Sequence, residues 1–169
     1  MRERRHHRGA AVGAALFAVL GPAFGMAAQG TPASAQEKAH EEVLELVTAG
    51  GTHALDVELA TTPEKQALGL MYRTSLPPNK GMLFFHEGKP RELTMWMRNT
   101  YIPLDMVFIR KDGTVHHIAA RTEPFSERII SSQGPVQAVL EIGGGMAEKL
   151  GLKPGDTIRH RFFGAAPSK

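Results

Sequence analysis

The chain has no cysteine. That excludes a disulfide scaffold, thiol catalysis, Cys-ligated zinc and a lipid-modified N-terminal cysteine. An excess of one charge is also missing once the first 35 residues are set aside. Arg2, Arg4, Arg5 and Arg8 against Glu3 account for the whole net +3, and the remainder balances 16 basic with 16 acidic residues. The basic character therefore belongs to the N-terminus and gives no case for nucleic-acid binding. No zinc knuckle, Arg-rich run or other nucleic-acid motif is present. A long hydrophobic run is lacking too: the apolar stretch "GAAVGAALFAVLGPAFG" is broken by Gly21 and Pro22.

That broken stretch, behind its basic start, reads as an export signal. Secretory signals need about 7–15 apolar residues, a spanning helix about 20. Ala33 and Ala35 fit cleavage before Gln36, with a cut after Ala27 or Ala28 as the other option. An uncleaved anchor is the competing reading, and Arg4-Arg5 lacks the usual twin-arginine context. The expectation is a periplasmic or secreted protein with no stable membrane span after cleavage. The chain divides into a signal peptide (1–35), a charged tether (36–42, "QEKAHEE"), one domain (43–164) and a loose tail (165–169). The roughly 120–130 mature residues suffice for a single core that buries about two-thirds of the surface.

What is present is strand punctuation. "VLELVT" and "HALDVELA" flank Gly50-Gly51 as a hairpin, with Leu55, Val57 and Leu59 alternating with acids. A helix through Glu37–Val47 is the alternative. "TTPEKQALGLM" predicts a two-turn helix: Thr62 caps, Pro63 takes the first position and Glu64 meets the positive end of the dipole. "SLPPNKG" is a loop, since Pro77-Pro78 excludes helix and central strand. "GMLFFH" and "ELTMWM" read as strands joined by "EGKPR". Asp112-Gly113 predicts a two-residue type I′ hairpin turn. "VQAVLEI" and "TIRHRFF" are further strands, and "GGGMAEKLGL" is a short helix ended by Gly151. The fold class is α+β, mostly β: a compact single domain of seven or eight short strands, barrel-like or strongly twisted, with two short helices.

The densest chemistry lies in "MWMRNTYIPLDMVFI". In a strand, Met95 and Met97 point one way and Trp96 the other. "RNTYIP" then leaves the sheet, with Asn99 suited to turn geometry and Thr100 to backbone bonding. Asp105 opens the next strand, where unpaired amides favour a carboxylate. One reading makes Asp105 and Asn99 structural, with Arg98 or Arg73 pairing the acid. The other gathers Arg73, Trp96, Asn99, Thr100 and Asp105, with Glu141, at a small-ligand pocket. Glu141 on "AVLEI" is otherwise a solvated strand residue or an arginine partner.

Two rivals remain. A hydrolase would use Asp105 with Glu141 or His86, and a sugar-cleaving carboxylate pair needs about 5.5 Å or about 6.5–9.5 Å between its members. A copper(I) carrier would draw on Met71, Met82, Met95, Met97 and Met106 beside Trp96, since thioethers select soft ions and indole attracts cations. Against it, methionine is ordinary core filler. His116 and His117 share a strand and face opposite sides, so they cannot hold one ion. "GGG" before a helix either cradles an anion or packs tightly. No Gly-x-Ser-x-Gly elbow, His-Glu-x-x-His, P-loop or calcium loop occurs.

The segments "GLMYR", "GMLFF", "MWMRNTYIPLDMVFI", "DGTV" and "AVLEIGGGMAEKLGLKPGD" resemble, in order and spacing, the domain of unknown function 192 family across residues 43–162. The family pattern falls on Gly69, Leu70, Met71 and Arg73, and on Gly81, Met82, Leu83 and Phe84. It continues on Trp96, Met97, Asn99, Thr100, Pro103, Leu104 and Asp105, then Leu140, Glu141 and Gly144. The resemblance implies a small, mostly β domain, often exported, whose activity has no settled assignment. Relatives often carry a cysteine within "TEPFSERIISSQGP", which this chain lacks, and usually an aromatic where Met95 stands, which makes that thioether a poor obligatory ligand. The reading is an exported binding or accessory module of the cell envelope, favoured over an enzyme. It implies no metal or cofactor, and its partner is a small molecule or envelope component.

Overall fold

A computed structural model describes residues 41–165 and Pro167. The expected signal segment 1–35, tether residues 36–40 and most of the tail lie outside the described residues. Glu41 and Glu42, read as tether, open the first strand, and Ala165, read as tail, bridges to His160.

Strands β1 (Glu41–Thr48) and β2 (Gly51–Ala60) form the expected hairpin, in register from Glu41↔Glu58 to Thr48↔Gly51. The helix considered over Glu37–Val47 does not form where the chain is described. Strand pairing lets Leu44, Leu46, Leu55 and Val57 bury together. Helix α1 (Pro63–Leu68) starts as its punctuation implied: the Thr62 hydroxyl accepts from the Lys65 amide at 3.3 Å, and Pro63 needs no donor. It closes at Gly69, whose φ of +50° favours glycine.

Strand β3 (Lys80–Phe85) runs parallel to β2, with α1 and the following loop supplying the crossover. Strands β5 (Leu104–Ile109), β6 (Val115–Thr122) and β8 (Ala138–Gly143) complete the sheet with β9 (Thr157–Arg159), in the order β6-β5-β8-β3-β2-β1-β9. The hairpin tip between β5 and β6 meets the β9 edge. Val115 donates to the Asp156 carbonyl and Ile158 to that of Gly113, both at 2.8 Å. The seven strands therefore curl until their two edges touch at one end. Short helix α2 (Met146–Lys149) ends at Gly151 (φ +67°), and the Leu152 amide reaches back to the Ala147 carbonyl at 2.8 Å.

The Asp112-Gly113 turn differs from the sequence reading. Gly113 is left-handed (φ +84°) but Asp112 is not, so the turn is not type I′. Its five residues close through Gly113 N–H to Arg110 C=O (3.0 Å) and Thr114 N–H to Asp112 Oδ1 (2.9 Å). The carboxylate gains an acceptor role that a two-residue turn would deny it.

The β4 strand (Arg91–Met95) stops one residue before Trp96 and does not join the main sheet. It pairs with β7 (Ile130–Val136) as a separate ribbon, which raises the strand count to nine among the described residues. Ser132 stitches that irregular pair, accepting from Leu93 N–H at 3.0 Å and donating to Gly134 C=O at 2.6 Å.

The central strands β5 and β8 are buried on both faces, because the curled sheet holds one apolar cluster inside and the ribbon covers another outside. Val107, Ile109, Leu140 and Ile142 belong to the inner cluster. Leu104, Met106, Phe108 and Val139 belong to the outer one, under Leu93, Met97 and Val136. Adjacent residues of each strand thus serve different cores. The register Asp105↔Ile142 and Met106↔Glu141 puts Asp105 on the inner face and Glu141 on the outer.

Candidate functional site

Asp105 is 0% exposed, and three main-chain amides donate to its carboxylate. Oδ1 accepts from Arg121 N–H at 2.7 Å and Gly145 N–H at 2.9 Å, and Oδ2 from Ala147 N–H at 2.8 Å. The β5–β6 register shifts beside it, and Arg121 at that shift has φ +48°, which aims its amide at the side chain. Gly144 packs so closely that an added Cβ would lie 2.9 Å from Pro103 Cβ. The anion held at the start of α2 is therefore the chain's own Asp105. Charge-assisted bonds of this kind are about twice as strong as neutral ones, and they fasten β5, β6 and α2 together.

Glu141 sits in the opposite situation. A row of partners runs across four strands on the outer face: Glu58, Met82, Glu141 and Met106. Arg73, just beyond α1, closes on Glu58 with two bonds of 2.5 and 2.8 Å. Glu141 is 4% exposed, and no hydrogen bond to its carboxyl is made among the described residues. Burial pushes this carboxyl up to about 8 from an ordinary 4.5, against the pull of the Arg73 charge. At neutral pH it is mostly the uncharged acid, which spares the domain a buried charge.

The Glu141 carboxyl lines a recess of about 30 Å³, walled by Leu70, Met71, Phe84, Met95, Trp96 and Thr100. Gln66, Ala67, Phe84, Met95 and Trp96 also line a cleft of about 440 Å³ that runs between α1 and β4. Leu93 and Ile129 add apolar wall, and His86, Arg91 and Glu92 stand along its polar part. Gln66 is fixed there by its Nε2, which donates to the carbonyls of Ala60 (3.1 Å) and Phe85 (3.0 Å). Trp96 is 45% exposed, with the Arg98 guanidinium 5.6 Å from its ring centroid. Burial, aided by Arg91, holds the His86 imidazole below its ordinary range, so it is neutral at pH 7.

Trp96, Thr100 and Glu141 thus come together at the recess. Arg73 acts on Glu141 through its charge while bonded to Glu58. Neither Arg73 nor Arg98 pairs with Asp105, whose acceptors are already filled by amides. Asn99 takes the left-handed turn expected of it (φ +53°) and donates from Nδ2 to the Tyr72 hydroxyl at 3.0 Å, outside the recess. Thr100 Oγ1 bonds the Arg98 carbonyl at 3.2 Å.

The Asp105–Glu141 carboxylate pair does not form, because the sheet separates the two side chains. Asp105 with His86 fails for the same reason, since His86 lines the outer cleft and Asp105 faces inward. The methionine set divides as well. Met82, Met97 and Met106 are core residues, and Met97 Sδ accepts from the Thr122 hydroxyl at 3.1 Å. Met71 and Met95 reach the recess.

Gln66, Leu93 and Ile129 are not among the residues singled out from sequence, and Phe84 is named there only as part of the family pattern, not as a site residue. Gln66 alone carried a signal, as a polar residue on the short helix. Ile129 lies in a stretch with no readable periodicity.

The family model DUF192, described as an uncharacterized ACR, matches residues 45–160. A solved structure from Sinorhizobium meliloti 1021, described as a candidate transcription regulator, is 46% identical. Its match covers 73% of this chain and 96% of that one, with a TM-score of 0.70. A protein of unknown function from Novosphingobium aromaticivorans DSM 12444 is 42% identical, covering 77% and 90%, again with a TM-score of 0.70. No curated protein matches the chain. With most of the described domain inside the match, the chain belongs to the DUF192 family.

Proposed function

We propose that the protein is a non-catalytic binding module that works outside the cytoplasm, in the periplasm or as a secreted protein, and holds a small molecule or envelope component in the α1–β4 cleft. One observation carries this reading: an open, largely apolar cleft shares a wall with a recess lined by a largely buried glutamate whose carboxyl makes no hydrogen bond among the described residues. Apolar walls with a few fixed polar groups are the usual make-up of a ligand site. The exposed, sole tryptophan on the shared wall supports the same use.

Export is supported by the basic start, the broken apolar stretch and the small residues before Gln36. Mass analysis of the exported form should give a chain starting at Gln36, or after Ala27 or Ala28. An intact chain retained in the cytosol would overturn export. The S. meliloti relative's description as a transcription regulator suggests a second reading, regulation exerted through direct contact with DNA. The charge balance of residues 36–169 speaks against it, and a gel-shift titration separates the two.

Binding is tested by Trp96 emission and thermal shift across metabolites, glycans and envelope fragments. A compound that moves both, and loses its effect in Trp96→Leu or Glu141→Gln, supports the module. A full panel that moves neither sinks it.

A further inference from the structure

Resting on the cleft reading above, we propose that the recess at Glu141 takes the ammonium head of a primary amine whose apolar body lies along the α1–β4 cleft. Size selects the head group. The recess offers about 30 Å³, room for a group about the size of one or two waters. An –NH₃⁺ group has that bulk; a trimethylammonium or guanidinium group exceeds it.

The walls select charge. Among the described residues no Lys or Arg lines the recess, whereas the aromatic residues Trp96 and Phe84 and the methionines Met71 and Met95 do. Ring faces attract cations, most strongly where water is excluded. The Thr100 hydroxyl adds an acceptor at the same place.

The charge balance of the strand row points the same way. Glu58 and Arg73 already neutralise each other through two bonds. An ionised Glu141 beside them leaves one negative charge, which a single cation cancels. An anionic ligand would instead bury an extra negative charge next to an acid. Arg73 is the charged group that acts on Glu141. From the elements packed around it, β3 offers Met82 and Phe84, β5 offers Met106, and the segment after β4 offers Trp96 and Thr100.

Binding then proceeds in one balanced step. Glu141–COOH and R–NH₃⁺ form Glu141–COO⁻···⁺H₃N–R, and the carboxyl proton leaves to solvent. The remaining cleft, with Leu93, Met95 and Ile129 along it, covers the alkyl or aryl body.

Hexylammonium chloride is a suitable probe, with hexyltrimethylammonium and hexanol as companions, followed by Trp96 emission and calorimetry in two buffers of different ionisation enthalpy. Hexylammonium should bind with affinity rising about tenfold per pH unit between pH 6 and 8 and levelling above, and should release close to one proton per bound amine at pH 6. The trimethyl analogue and Glu141→Gln should each lose at least about tenfold in affinity, with the variant's melting temperature not lowered at pH 7. Binding that ignores pH, or that Glu141→Gln leaves intact, would overturn the proposal. Hexanol binding as tightly as the amine would refute the amine while keeping the cleft. Failure of all three probes to reach Trp96 would count against the amine, and the wider panel would then decide the cleft itself. Stoichiometric copper(I) binding that displaces hexylammonium and depends on Met71 and Met95 would replace the amine with a soft metal ion.

Discussion

Replacing Glu141 with glutamine isolates the cost of the buried acid. In the unfolded chain this carboxyl ionises near 4.5, whereas in the folded domain burial holds it protonated up to about 8. Below 4.5 both states are protonated and Glu141 contributes no pH dependence. Between 4.5 and 8 the unfolded state loses its proton and the folded state keeps it. Folding is therefore penalised by up to about 1.4 kcal/mol per pH unit, reaching a total of order 5 kcal/mol, and the loss levels off above 8. Glutamine has the shape of the protonated acid but no proton to lose. Urea unfolding of both proteins at half-unit steps from pH 4.5 to 9 gives the difference curve, in which every other titrating group cancels. The wild-type minus variant stability should fall steadily to pH 8 and then flatten, leaving the variant the more stable protein at pH 8. Two parallel curves would refute the reasoning, because they require Glu141 to ionise alike in both states.

Asp105→Ala strands three amides, one buried and two part-buried, and should cost about 3 kcal/mol, read as a lower urea midpoint with an unchanged slope. A loss below about 1 kcal/mol would mean those bonds are not made. Gly69→Ala meets both a left-handed φ and Phe84 Cζ at 3.1 Å, so it should lower stability by about 1–2 kcal/mol and shift Trp96 emission as the recess wall moves. An unchanged emission and midpoint would show that the recess adapts freely.

Local features of the fold were legible in the sequence because local chemistry sets them. Thr62-Pro63-Glu64 starts a helix wherever the chain goes next, and Gly50-Gly51 turns a hairpin by itself. The parallel β2–β3 pairing was not legible, since it joins segments across a helix and a loop that carry no pairing signal. Strand β7 hid behind Gln133, Gly134 and Pro135: two positive-φ residues and a proline that only a paired two-strand ribbon with a bulge tolerates. The site was half legible. Trp96, Thr100 and Glu141 could be named from sequence, but the face each acid takes depends on register between distant strands. A one-residue slip would have exchanged Asp105 and Glu141 between the two cores. "MWMRNTYIPLDM" therefore mixes two jobs: Asp105 locks the frame, and Trp96 and Thr100 shape the recess.

An uncharged Glu141 carboxyl lining the recess is the central claim. Carbon-13 NMR of glutamate-labelled protein, with Glu141→Gln to assign the resonance, follows that proton directly. A midpoint near 8 in the free protein, moving downward as hexylammonium is added, is the predicted result. A midpoint near 4.5, indifferent to the amine, would contradict it.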